Sequence, residues 1–331
     1  MERNNRTKIK LVKMLEILRR ETDDDNPITT PQLIAKLTEE GIPCDRRTVY
    51  ADIKALNDNG FEVITVTSPG KPSGYYVADR SFDLPEIRIL MDAVTAASFI
   101  TNKKTTVLLD KIADLAGSHR GELLINNLIE YNTTKHSNEV VFYNIDEIER
   151  AITSGKKIGF SYFDYDENLN RVFRRDGKKY YVNPISMVYT MDNYYLVCYD
   201  DFHPTINHYR IDRMTGVFVT RHDILKNDLS ESFNLKAHHK EVFGMFTGRE
   251  ETVGLEFDNG LIGSVMDKFG EDIKLKKVGD KVRLYETVQI SPQFFSWVCG
   301  FGSKMKVVAP DSLVKEVKEY VLTVAKLYDD D

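Results

Sequence analysis

Near Lys157 the spacing of the apolar residues changes to a β pattern, and this limits the region that follows to short strands. Before that point the stretch from Asp83 to about Tyr131 carries apolar residues at helical spacing. After it come short, aromatic-rich, turn-bounded runs: Ile158 to Tyr165, Tyr180 to Tyr189, Tyr194 to Tyr199, Ile206 to Ile211 and Val217 to Thr220. Five short strands suit a small barrel. Beyond residue 240 the pattern alternates: strands near Thr252 to Phe257, Ile273 to Lys277, Val282 to Gln289 and Lys304 to Val308, and helices near Leu261 to Phe269, Pro292 to Gly300 and Pro310 to Leu327. That order, β-α-β-β-α-β with a tail helix, is the ferredoxin-like split.

The first eighty residues carry 13 basic and 13 acidic side chains, unevenly spread: seven basic and two acidic over 1–20, one basic and six acidic over 21–40. A first helix is expected from Arg6 to Arg20, with Ile9, Val12, Leu15, Ile17 and Leu18 as its apolar face. Thr30 followed by Pro31 reads as a cap and first turn of a short helix, with Leu33, Ile34 and Leu37, that stops at Gly41. Asp45 then caps a third helix on which Val49, Ile53 and Leu56 form one narrow inward stripe. Arg46, Arg47, Tyr50, Lys54 and Asn57 fall within an arc of about 100° on another side, where they could enter a groove. Phe61 to Thr67 and Gly74 to Ala78 read as a hairpin joined by Ser68 to Ser73. Three helices and a hairpin make a winged helix-turn-helix. From Asp83 to about Tyr131 the pattern is helical and reads as a connector.

Composition narrows the function classes. Hydrophobic residues are 42% and charged residues 29%, the balance of a globular protein, and the net charge of −6 denies a nonspecific polycation. Nucleic-acid binding must therefore be local. No apolar run reaches the ~20 residues of a membrane span, and the first twenty residues alternate Lys and Arg with aliphatics, so a cytoplasmic address with no membrane partner is expected. Cys44, Cys198 and Cys299 match no zinc spacing and read as free thiols. There is no G-x-S-x-G, H-E-x-x-H or P-loop, and His203, His208, His238 and His239 suit neither a helix face nor a zinc finger. No catalysis, cofactor or metal is assigned.

Three stretches resemble one family, the WYL-domain transcriptional regulators of bacteria. Asp45-Arg46-Arg47-Thr48-Val49-Tyr50-Ala51-Asp52-Ile53, with Leu56, Gly60 and Gly74-Tyr75-Tyr76, is similar to the family's S-x-R-T-V-x-R-D-I recognition helix and wing. Asp45 replaces Ser as the cap, and Ala51 stands where the family usually carries Arg. Tyr194-Tyr195-Leu196 occupies the place of the Trp-Tyr-Leu that names the family, followed by His208-Tyr209-Arg210-Ile211-Asp212-Arg213-Met214, which resembles F-R-L-D-R-I. Upstream, Val182-Asn183-Pro184 matches V-x-P, with Tyr180 where Arg is common. Trp297 to Ser303 and Val307-Val308-Ala309-Pro310 resemble the WCX extension that follows WYL domains. The resemblance implies an SH3-like or Sm-like barrel for the WYL module, a ferredoxin-like WCX domain, a homodimer, and single-stranded DNA or a nucleotide-like oligomer as effector.

The chain is thus expected to be an α+β multidomain protein: a winged helix-turn-helix over 1–80, a helical connector over 81–140, a WYL ligand-sensing domain over 141–227 and a WCX domain over 240–331. Double-stranded operator DNA would be bound by Arg46, Arg47, Thr48, Tyr50 and Lys54, with Lys71 at the wing. Arg210 and Arg213, three apart, would sit on opposite faces of a regular strand; a bulge or strand end could aim both inward. With Ser161 and Tyr162, and with Tyr194, Tyr195 and His208 nearby, they would bind an anion, because guanidinium forks match phosphate oxygens. The alternative is that Asp212 and other acids pair with them. Nine tyrosines in this barrel could stack bases, or serve as core and strand-edge residues. The run Arg171 to Lys179, five basic residues in nine, reads as a solvated hairpin tip or a phosphate-tracking loop. A competing function is an accessory protein that presents single strands to an enzyme.

Overall fold

The computed structural model describes residues 2–67, 73–128, 135, 139–201, 205–226, 233–234, 238 and 240–328. They fall into two compact units, 1–138 and 139–331.

In the first unit, α1 (Glu2–Glu21), β1 (Ile28–Thr29), α2 (Thr30–Glu39), α3 (Arg46–Asp58), β2 (Val63–Val66) and β3 (Gly74–Val77) pack three helices against an antiparallel sheet of order β1-β3-β2. The cap of α2 is Thr29, one residue before the expected Thr30. Its amide and hydroxyl both reach Oε1 of Gln32, at 2.8 and 2.6 Å, and that closure needs Gln32 three residues on. Asp45 caps α3 as expected, its Oδ1 accepting from the Thr48 amide at 2.8 Å. Val49, Ile53 and Leu56 are buried with Leu33, Leu37, Val63 and Val77. The buried face of α1 differs from the expected one. It is Met14, Ile17 and Leu18, while Ile9 and Val12 lie at the surface, Val12 at 66% exposure. Lys10 lies on that inner face and makes a 2.7 Å ion pair with Asp52 of α3.

The connector, expected as one helical stretch, is three helices: α4 (Leu84–Ala96), α5 (Asn102–Ala113) and α6 (Ser118–Asn126), closing on Ile87, Met91, Ala113 and Ala116. Asp83 and Thr101 start the first two, and Gly117, at a φ of 84° that favours glycine, turns the chain into the third. Arg80 joins the connector to the helices before it. Its Nη2 donates to the Thr22 carbonyl at 2.6 Å and its Nη1 to that of Leu115 at 3.5 Å, and burial lowers its pKa.

The second unit opens with α7 (Val140–Ser154), a helix not anticipated from the sequence, although Val141, Asn144, Ile148 and Ala151 mark a buried face and Gly155 ends it. Then follow β4 (Lys156–Tyr165), β5 (Arg171–Phe173), β6 (Tyr180–Thr190), β7 (Asn193–Tyr199), β8 (Asn207–Arg210) and β9 (Met214–Asp223). They form a curled sheet of order β5-β4-β6-β7-β8, with β9 on the other side of β4. The basic run after Arg171 thus begins with a sixth strand. A Cβ at Gly159 would come within 2.5 Å of the tip of the Phe218 ring, so any side chain there would force that ring to shift.

The remaining elements are β10 (Arg249–Asp258), α8 (Ile262–Phe269), β11 (Lys276–Val278), β12 (Lys281–Ile290), α9 (Pro292–Cys299), β13 (Met305–Ala309) and α10 (Asp311–Ala325). The sheet is antiparallel with order β11-β12-β10-β13, and α8, α9 and α10 cover it through Val265, Phe269, Phe294, Val298 and Leu313. The strand expected at Ile273 starts at Lys276 instead.

The two faces of α1 predict different costs for similar truncations. Met14→Ala should lower unfolding free energy by about 2–5 kcal/mol, whereas Val12→Ala should change it by about 0.5 kcal/mol or less. Urea denaturation of the two variants checks this.

Candidate functional site

The outer side of α3 presents Arg46, Arg47, Tyr50 and Lys54 to solvent, Tyr50 at 50% exposure. Among the described residues no carboxylate forms an ion pair with Arg46 or Arg47, and Lys54 is loosely engaged, its ammonium 2.6 Å from Asp58 one turn on. Thr48 belongs to the cap: its hydroxyl donates to Asp45 at 2.8 Å, and hydrogen bonds from the Thr48 amide and hydroxyl hold the Asp45 carboxyl below its usual range. Asn57 is diverted to structure, its amide bridging both backbone groups of Val63 at 2.8 and 3.1 Å and so fastening β2 to α3. Lys71 lies outside the described residues.

In the second unit the arginines meet at the end of β8. Arg210 closes the strand and residues 211–213 form a single 3-10 turn, so the strand stops where both arginines are needed. Arg210 grips Asp212 with two bonds, Nε to Oδ1 at 3.0 Å and Nη2 to Oδ2 at 2.8 Å, and its Nη2 also donates to Asn193 Oδ1 at 2.5 Å. Asp212 therefore does pair with Arg210. Arg213 donates from Nη1 to Asp164 Oδ1 at 2.9 Å, and Asp164 Oδ2 accepts from Arg174 Nε at 2.5 Å. The result is three guanidiniums around two carboxylates.

Tyrosines frame this cluster. The Tyr162 hydroxyl accepts from the Arg210 amide at 3.2 Å, and its ring packs edge-on against Tyr209 at 5.2 Å and Tyr180 at 6.4 Å. Burial raises the Tyr162 hydroxyl pKa against the pull of Arg213 and Arg174. Tyr195 sits opposite Arg210 in the β7–β8 ladder, and burial raises its hydroxyl too. Two expected members lie apart from it. Alternation along β4 puts Ser161 on the face opposite Tyr162. Tyr194 turns away from Tyr195 to pack on Tyr189, ring centroids 5.1 Å apart.

His208 shares a strand face with Arg210 but is used elsewhere: its Nε2 lies 2.9 Å from Nε2 of His238, and the rings stack at 5.0 Å. One ring must donate and the other accept, so at least one is neutral. Burial, then the charge of His238, pushes the His208 imidazole down to about 4. A cavity of about 610 Å³ beside the pair is lined by Asn207, His238, Glu241, Glu250 and Gln289. Its carboxylates, one raised by burial and by the other, make it unsuited to an anion.

Asp164, Arg174 and Asn193 are the members that sequence reasoning missed. The signal for Asp164 was its place two residues after Tyr162 on one strand face. The run 171–179 also lays its cations on rings: Arg171 on Phe163 at 4.5 Å, Arg174 on Tyr162 at 5.1 Å, Arg175 on Tyr180 at 4.2 Å and Lys179 on Phe218 at 4.4 Å.

The family model of the WYL domain matches residues 143–219, and that of the WCX domain matches residues 249–325. No curated protein shows a match to the chain. Among solved structures, proteasome accessory factor B/C of Arthrobacter aurescens is similar at 17% identity and a TM-score of 0.29, over 98% of this chain and 47% of that one. The chain thus spans about half of that relative's length. A CRISPR Cas-related protein is similar at 15% identity and a TM-score of 0.38, over 76% of this chain and 75% of that one.

Because His208 is held neutral when folded, unfolding lets it bind a proton at any pH between its lowered value of about 4 and its ordinary 6.5. The stability this contributes is present above 6.5 and is lost as the pH falls toward 4. His208→Gln should flatten the fall in stability between pH 7 and pH 5, measured by urea denaturation at both.

Proposed function

Because this chain is a WYL-domain protein, with a WYL domain at residues 143–219 followed by a WCX domain at 249–325, we propose that it is a bacterial transcription regulator. The observation that carries this is α3, a capped helix with one side buried and Arg46, Arg47, Tyr50 and Lys54 open on the other. The order α1-β1-α2-α3-β2-β3 suits a winged helix-turn-helix whose third helix enters the major groove with its first turns on base edges. The six-stranded curled sheet suits the SH3-like or Sm-like barrel, and the order β11-β12-β10-β13 suits a ferredoxin-like domain.

On this reading the protein acts in the cytoplasm without catalysis or a cofactor and binds operator DNA as a homodimer. Net-zero charge over residues 1–80 supplies little general attraction to DNA, so two copies on one duplex provide the affinity. Exposed Ile89 and Leu123 on the connector, and Val321 and Leu322 on α10, are apolar surface available to a second copy. The WYL cluster of Arg210, Arg213, Tyr162 and Tyr195 takes an anionic effector, single-stranded DNA or a nucleotide-like oligomer. Binding alters promoter affinity insofar as it favours one domain arrangement over another.

Sequencing of genomic fragments retained by the purified protein should return an inverted repeat upstream of genes. Arg47→Ala should weaken binding to that site by about 1–3 kcal/mol, read by fluorescence anisotropy. Full affinity would refute the placement of α3, and single-strand binding with no such footprint would favour the accessory protein. Calorimetry with short single-stranded oligonucleotides tests the second site. An Arg210→Ala, Arg213→Ala double variant that keeps its circular dichroism melt and its operator binding should lose oligonucleotide binding.

A further inference from the structure

The anion-binding cluster of the WYL domain already holds an anion of its own. Arg213 and Arg174 both close on Asp164, at 2.9 and 2.5 Å. A carboxylate so held uses the same guanidinium N–H groups, with the same sign of charge, that a phosphate would use. Asp212 is a different case. Its side chain is 11% exposed and takes a two-pronged grip from Arg210 inside the 3-10 turn, so it fixes the geometry. Asp164 is 36% exposed, and its partners Arg213 and Arg174 are 31% and 51% exposed, so incoming solute can reach the pair.

The stacking faces are occupied in the same way. Tyr162 and Tyr180 are 5% and 6% exposed, and over their rings lie Arg174 and Arg175 from the segment between β5 and β6. That segment bends through left-handed backbone at two non-glycine residues, Arg175 with φ 52° and Asp176 with φ 53°. Such conformations are intrinsically disfavoured, so the bend depends on the contacts of its side chains. The salt bridge of Arg174 to Asp164 and the two cation–ring contacts supply them.

We propose that Asp164 is a built-in competitor for the effector phosphate: it occupies the Arg213 and Arg174 donors in the unliganded protein, and a phosphate that takes Arg213 displaces it, so that Arg174 and Arg175 of the segment 174–179 are released from the tyrosines. This rests on the reading of the arginine cluster as an anion site. The carboxylate sets a threshold, so weakly charged anions fail to open the site, whereas an oligonucleotide with several phosphates and bases to stack on the uncovered rings succeeds.

The test uses the full chain, a 5′-phosphorylated single-stranded oligonucleotide and fluorescence anisotropy. Asp164→Asn keeps the shape and removes the charge, and should tighten binding by about tenfold at low salt, the gain shrinking as salt rises. Adding Arg213→Ala to Asp164→Asn should abolish the gain. If the wild type binds and a folded Asp164→Asn binds equally or less tightly, Asp164 is only a structural partner and the proposal fails while the anion site stands. If neither binds, both fail. A second measurement needs no variant: the oligonucleotide should speed tryptic cleavage of the wild type after Arg174 and Arg175. Unchanged or slower cleavage there would overturn the displacement of the segment.

Discussion

The placement of the arginines depends on one buried amide. Asn144 of α7 is fully buried, and its Nδ2 donates to the carbonyls of Ile211 at 3.2 Å and Met214 at 3.1 Å, the two ends of the turn that carries Arg213. Both carbonyls lie where β8 ends and β9 begins, and that of Ile211 also accepts from the Met214 amide that closes the 3-10 turn; a buried carbonyl with no donor costs about 1–3 kcal/mol. Asn144 satisfies both with one side chain and pins the turn to the helix. Glu147, one turn further on, accepts from the Val219 amide of β9 at 3.3 Å. The helix absent from the strand pattern is therefore what holds the site in register.

Around that turn, charge is compensated except for one unit. Three guanidiniums face two carboxylates, and the hydrogen bond from Arg174, helped by Arg213, keeps the Asp164 carboxyl below its ordinary range. On the proposed reading, an anion approaching the cluster meets one unit of excess positive charge, and a second only when a carboxylate leaves. The net charge of the chain, −6, adds no long-range pull of its own. On the proposed reading, selectivity comes from which anions can displace the internal one.

Local signals in the sequence carried much of this. The stripe of Val49, Ile53 and Leu56, the Asp45 cap and the strand order after Thr252 are legible because each follows from spacing within a few residues or from the order of short runs, whereas the grouping of Arg210 with Tyr162 rests on the family resemblance. Long-range partners were not visible. Asp164 reads as one polar residue among aromatics, and nothing nearby says that it meets Arg213, 49 positions away. Met14 lies outside the expected apolar face of α1, yet the helical period that buries Ile17 and Leu18 selects 14 and 10, and position 10 is a lysine paired with Asp52. The β5 strand hid in a basic run because its side chains are exposed.

Arg80 has a mechanical meaning. By holding the carbonyl after α1 and the carbonyl of Leu115 at once, a single guanidinium bolts the three-helix unit to the connector, while Arg120 braces it through Asp24. The short link around residue 80 is then no swivel. On the proposed reading, in which two copies join through the connector, the distance between the two α3 helices would be set as by a rigid calliper, its jaws measuring the spacing of two half-sites.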